Sequence, residues 1–180
     1  MNEVNVRSLK QYLKQRSKDE LIGEIADLFA KFEPVREYYQ VKLNRDDDQY
    51  LREKYREIIK HEFFPDRGFG KLRLSVAKKA ISDYKKVSES KEGLADLMLY
   101  YVEMGVAFTE AYGDIDEPFY NSVEGMYERV VEFVFQHGLQ DQFQARCRQI
   151  VDETRGMGWG FHDGLSQTYG QYFGRTVSAV

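Results

Sequence analysis

Apolar residues recur along this chain at three- and four-residue intervals, and no stretch alternates with period two. That pattern predicts helices and no strands. The strongest stretch is Leu94–Tyr112. Leu94, Leu97, Met98, Tyr101, Gly105, Phe108 and Tyr112 share one face, and Leu99, Tyr100, Val102 and Val106 make most of the other side apolar. A helix apolar nearly all round must be covered on most of its faces, so this one is expected to be central.

The flanking segments read as amphipathic helices. Ser8 is expected to cap a short first helix carrying Leu9, Tyr12 and Leu13. Ser17-Lys-Asp-Glu20 is a capping box opening a second, with Leu21, Ile25, Leu28 and Phe32 on one stripe and Ile22 and Phe29 beside it. Pro34 suits the first turn of a third helix, bearing Val35, Tyr38, Tyr39 and Leu43. The run Asp46–Asp48 reads as negative charge at the positive end of a helix over Gln49–Phe63, with a metal site as the less favoured reading. Phe64–Lys71, with Pro65, Gly68 and Gly70, is a loop. The helix after it, to about Val87, turns Ala77, Ala80, Ile81, Tyr84 and Val87 inward. Beyond the central helix, the periodicity predicts helices over Glu117–Gln136, Leu139–Thr154 and Phe161–Phe173. The expected fold class is all-α: a single domain over residues 1–180, built as an antiparallel helical bundle or short helical-hairpin array of seven or eight helices.

Composition narrows the function classes. A chain of 180 residues with 31% charged and 42% hydrophobic residues is long enough to bury a core. Its single cysteine, Cys147, excludes an internal disulfide and a Cys-based metal site, and reads as core. The start lacks the pattern of a secretory signal, and Asp96, Glu103 and Glu110 interrupt the most apolar stretch. A cytoplasmic location without membrane insertion is therefore expected. The net charge of −4 is unevenly spread: residues 67–91 hold eight basic and two acidic groups, and residues 92–135 hold one basic and ten acidic groups. Such neighbouring segments of opposite sign neutralise each other, within the chain or between copies, or the basic one meets an anionic partner.

Several short pieces occur together: Lys10-Gln-Tyr-Leu-Lys14, Ser17-Lys-Asp-Glu-Leu21, Val35-Arg-Glu-Tyr-Tyr39, Phe63-Phe-Pro65, Lys71-Leu-Arg-Leu-Ser-Val-Ala77, Asp96-Leu-Met-Leu-Tyr100 and Phe119-Tyr-Asn-Ser122. In these the chain resembles a family of bacterial proteins of about this length known as a domain of unknown function. The resemblance spans most of the chain. It implies a bacterial, single-domain helical protein and supplies no activity, cofactor or catalytic residue.

Three constellations bear on chemistry. The loop Arg67-Gly-Phe-Gly-Lys-Leu-Arg73 offers Gly68 and Gly70 for close backbone approach and Arg67, Lys71 and Arg73 for charge. At about 100° per residue, Lys78 and Lys79 continue it, with Ser82, Lys85 and Lys86, as one basic stripe. Phe69 and Tyr84 could add stacking. The segment is a candidate site for a phosphate-bearing ligand or nucleic acid, although it has neither Walker nor dinucleotide glycine spacing. The competing reading is a tight turn followed by a solvated face. Glu117, Glu124 and Glu128, with Asn121, share one face of the next helix and are either solvated or an acidic docking surface. His162-Asp163, beside Trp159 and several glycines, is the most reactive-looking pair, but neighbours on a helix point apart. His61, His137 and His162 have no Glu three residues before them, which argues against a di-iron site. No cofactor, metal or catalytic residue is expected. The leading expectation is a non-enzymatic interaction or scaffold protein that binds a protein partner or itself, for which 13 tyrosines and 12 phenylalanines supply contact surface. The alternatives are anion or nucleic-acid binding through residues 67–86, and an enzyme using the His162 region.

Overall fold

The computed structural model describes residues 4–44 and 48–174. Among these there are nine α-helices and no strand, so the chain is all-α with more helices than the seven or eight expected. They are α1 (Val6–Leu13), α2 (Lys18–Lys31), α3 (Glu33–Leu43), α4 (Asp48–Phe63), α5 (Leu74–Val87), α6 (Lys91–Tyr112), α7 (Glu117–Gln136), α8 (Gln140–Glu153) and α9 (Phe161–Phe173). All nine segments that the spacing marks form helices, including the short α1 and the glycine-rich α9. At eight residues, α1 is held by a reciprocal capping box. Its cap is Asn5, not Ser8 as the sequence suggested. Asn5 Oδ1 accepts from the backbone N–H groups of Arg7 and Ser8, and Ser8 Oγ accepts in return from Asn5 N–H. In glycine-rich α9, Leu165 and Phe173 are buried and the helix packs on α7 and α8.

The chain divides into two compact units, residues 1–45 and 46–180. In the first, Ser17 caps α2 in the expected box with Glu20, and Pro34 lies in the first turn of α3. Tyr12 of α1 donates to Glu24 of α2 at 2.8 Å, and Phe29 of α2 meets Tyr39 of α3 edge-on. Despite these contacts no residue of α1, α2 or α3 is buried.

In the second unit α6 touches α4, α5, α7 and α8, and α9 completes the layer over α7 and α8. Thirteen residues of α6 are buried. At Gly105 the helix lies tight against α7: a Cβ there would lie 2.7 Å from Val123 Cγ2. The spacing on α5 is realised in full, with Ala77, Ala80, Ile81, Tyr84 and Val87 all buried. Tyr112, expected on the inner face, is 47% exposed at the end of α6. There it packs with Phe69 and Phe108 at ring separations of 4.4 and 4.5 Å. Asp46 and Asp47 lie outside the described residues. Asp48 opens α4, and its Oδ1 accepts from Tyr84 Oη at 2.7 Å and Ser88 Oγ at 2.6 Å.

Candidate functional site

The basic segment is divided between structural and solvent-facing cations. Gly70 crosses the end of α4 so closely that a Cβ there would sit 2.1 Å from the Phe63 carbonyl oxygen. Leu72 N–H then donates to Glu62 O at 2.9 Å, with Leu72 itself at φ 49°. Arg73 closes the turn with a two-pronged pair to Glu62, 2.9 Å from Nε to Oε2 and 2.7 Å from Nη2 to Oε1. Glu62 is buried, and its hydrogen bonds with Arg73 hold its carboxyl below the ordinary glutamate range despite that burial. Lys78 donates to Ser122 of α7 at 3.0 Å, and Ser122 Oγ lies 2.8 Å from Tyr101 Oη. Lys79 and Lys86 both pair with Asp83. Arg67, Gly68, Lys71 and Lys85 are exposed. Of the seven candidate residues, Gly70, Arg73 and Lys78 thus have contacts that fasten the loop or α5 to its neighbours.

The three acidic candidates on α7 do not face one medium. Glu117 and Glu128 are exposed, whereas Glu124 is half-buried against α9. A Cβ on Gly164 would meet Glu124 Oε1 at 2.1 Å. Burial, with Glu128 one turn away adding repulsion, pushes the Glu124 carboxyl above its ordinary range.

Sequence reasoning missed a larger ionic feature. Asp96 and Glu103, two turns apart on α6, are bridged by Arg146 of α8. Its Nη1 lies 2.5 Å from Asp96 Oδ1, and its Nε and Nη2 lie 2.5 and 2.8 Å from the Glu103 oxygens. From the other side Arg56 of α4 reaches Asp96 Oδ1 at 2.8 Å and stacks over the Tyr100 ring at 4.7 Å. The available signal was the pair of carboxylates on a helix otherwise apolar all round, since charges in such a place require cationic partners.

The His162 region forms a groove of about 240 Å³ between α8 and α9. Thr154, fully buried, gives its hydroxyl proton to Val151 O at 2.7 Å. Its Oγ1 must then accept from His162 Nδ1, 2.9 Å away. This leaves Nε2 turned toward Ser166 Oγ, at 3.4 Å. On the α8 side Asp152 draws Arg155 to 2.6 Å and Arg148 to 3.8 Å. Asp163 is exposed and is not His162's partner.

Among the described residues no three His, Cys, Asp or Glu side chains gather as a metal site, and no helix is long and apolar enough to cross a membrane. No curated protein and no solved structure matches the chain. Residues 4–172 match the model of a family of unknown function (DUF6155), and the chain belongs to that family.

Proposed function

We propose that the protein acts by association, as a helical interaction or scaffold protein whose N-terminal unit pairs two copies of the chain. One observation carries this: α1–α3 hold continuous apolar stripes, yet none of their residues is buried. Ile25 and Leu28 of α2 and Phe32, which caps its end, are 42%, 45% and 52% exposed. A unit of this size without an interior gains too little from burial to offset the entropy of ordering its backbone, and small units of this kind depend on association. A second copy fits the stripe best. Run antiparallel, two α2 helices pack Leu21, Ile25, Leu28 and Phe32 against themselves. The same pairing sets Lys31 of one copy beside Glu20 of the other. The unit at 46–180 is read as a bundle around α6, and the whole as a cytoplasmic protein.

The exposed Arg67 and Lys71 on either side of Phe69 in the loop, with Lys85 exposed in the last turn of α5, support anion or nucleic-acid binding as a second reading. The internal partners of Arg73, Lys78, Lys79 and Lys86 place it behind the first. Sedimentation velocity over a wide concentration range separates the two readings. Association predicts twice the 21.2 kDa chain mass, reverting to one chain mass in Ile25→Glu/Phe32→Glu. A single-chain mass at every concentration, or a dimer indifferent to that variant, overturns it.

A further inference from the structure

We propose that the groove between α8 and α9 is a binding site for a phosphate monoester. The argument starts from the fixed tautomer of His162. With its Nδ1 hydrogen committed to Thr154, itself committed to Val151 O, the ring presents Nε2 to the groove. The charged and titratable groups lining the groove around it are Arg148 and Asp152 from α8, Arg155 from the turn after it and Tyr169 from α9, and α7 contributes no lining residue. Asp152 draws the two guanidiniums together and uses one Nη of Arg155 and, loosely, Nε of Arg148. The other guanidinium donors remain for a ligand, in the fork geometry that suits phosphate oxygens. Two guanidiniums and one carboxylate leave a single positive charge. An imidazole that takes a proton on Nε2 as the ligand arrives makes it two, which matches a phosphate dianion. The volume of about 240 Å³ admits a phosphate with one small substituent. The Tyr169 ring, backed by Phe173 at 4.8 Å, offers that substituent an aromatic wall.

The test uses the full chain, with inorganic phosphate and phenyl phosphate as probes at constant ionic strength. In imidazole nitrogen NMR, phenyl phosphate is expected to move the Nε2 resonance of His162 saturably toward its protonated position. His61 and His137 serve as internal controls. Binding of phenyl phosphate should be about tenfold tighter than that of inorganic phosphate. It should be lost in Arg148→Gln/Arg155→Gln, whose changes lie at exposed positions and set no like charge beside Asp152, so the melting temperature should stay close to that of the native chain. Calorimetry in buffers of different ionisation enthalpy should show proton uptake in the native chain and none in His162→Gln. Equal response of all three histidines, equal affinity for the two probes, binding that survives the double arginine variant, or proton uptake that survives His162→Gln each overturns the proposal.

Discussion

Arg146 of α8 and Asp96 of α6 meet at 2.5 Å, fifty positions apart in the chain, and the same guanidinium grips Glu103. Burial works against the arginine's charge, but its hydrogen bonds to Glu103 and Asp96 outweigh that and tighten its hold on the proton. The network is closed on one side only: Asp96 Oδ2 is buried with no hydrogen-bond partner among the described residues, as is Arg56 Nε.

Removing one member of such a cluster strands the others. Arg146→Met keeps much of the side-chain volume but leaves the Glu103 carboxylate unanswered and Asp96 with Arg56 alone. The expected loss is about 3 kcal/mol, read as a lower urea midpoint at unchanged slope. Adding Glu103→Gln should recover part of it, because the cost lies in the stranded charge rather than in the missing contact. A single variant as stable as the native chain refutes this account.

The pH dependence divides into two opposite contributions. Glu62, held below its ordinary range by Arg73, contributes stability that is present above the unfolded carboxylate value and is lost as pH falls through the lowered folded value. Glu124, raised by burial and by Glu128, behaves in reverse. Its native environment favours the protonated form, so its contribution is fully present below the unfolded value and is lost as pH rises through the folded value. Glu124→Gln is therefore expected to be more stable than the native chain at neutral pH, with the difference vanishing in acid. Arg73→Gln should be less stable at neutral pH and lose less on acidification. Denaturant midpoints measured across that range check both signs.

Much of the helical layout was legible from spacing. The bounds of α7 and α9, the five inward residues of α5 and the capping box of α2 all follow from local rules acting within one or two turns. What was not legible is what those rules cannot reach. Asp96 reads as a polar break in an apolar run until Arg56 and Arg146 arrive from two other helices. Arg73 reads as a ligand-facing cation until the turn at Gly70 delivers it to Glu62. The stripe of α2 shows the limit from the other direction. Its periodicity says that it must be covered, and nothing in periodicity says by what.

Glycine positions separate steric need from mere tolerance. Gly70→Ala places a methyl group 2.1 Å from a backbone oxygen, which no side-chain rotation relieves. The turn must open, releasing the Leu72–Glu62 bond and the Arg73 pair, at an expected cost of about 2 kcal/mol or more. Gly23 lies inside α2 with nothing within 4 Å of a would-be Cβ, so Gly23→Ala should stabilise helix α2 by about 0.5–1 kcal/mol. Helicity by far-UV circular dichroism and thermal midpoints distinguish the two. A harmless Gly70→Ala excludes the close crossing.

Cys147 provides a probe of the second unit that needs no mutation. It is fully buried on α8, beside Arg146 in sequence, and Tyr127 Oη donates to its carbonyl at 2.9 Å. Burial pushes its thiol up to about 12, so the folded chain holds almost no thiolate at neutral pH, and the thiolate is the reacting species. Reaction with a disulfide reagent should therefore proceed only through opening of α8 from the helices it packs on, at a rate that rises with urea as unfolding does. Arg146→Met removes ion pairs that tie α8 to α6 and should accelerate labelling in proportion to its loss of stability. Equal labelling rates in the native chain and the variant, or rapid labelling without denaturant, would show that α8 opens independently of its ion pairs and that the network does not hold this helix in place.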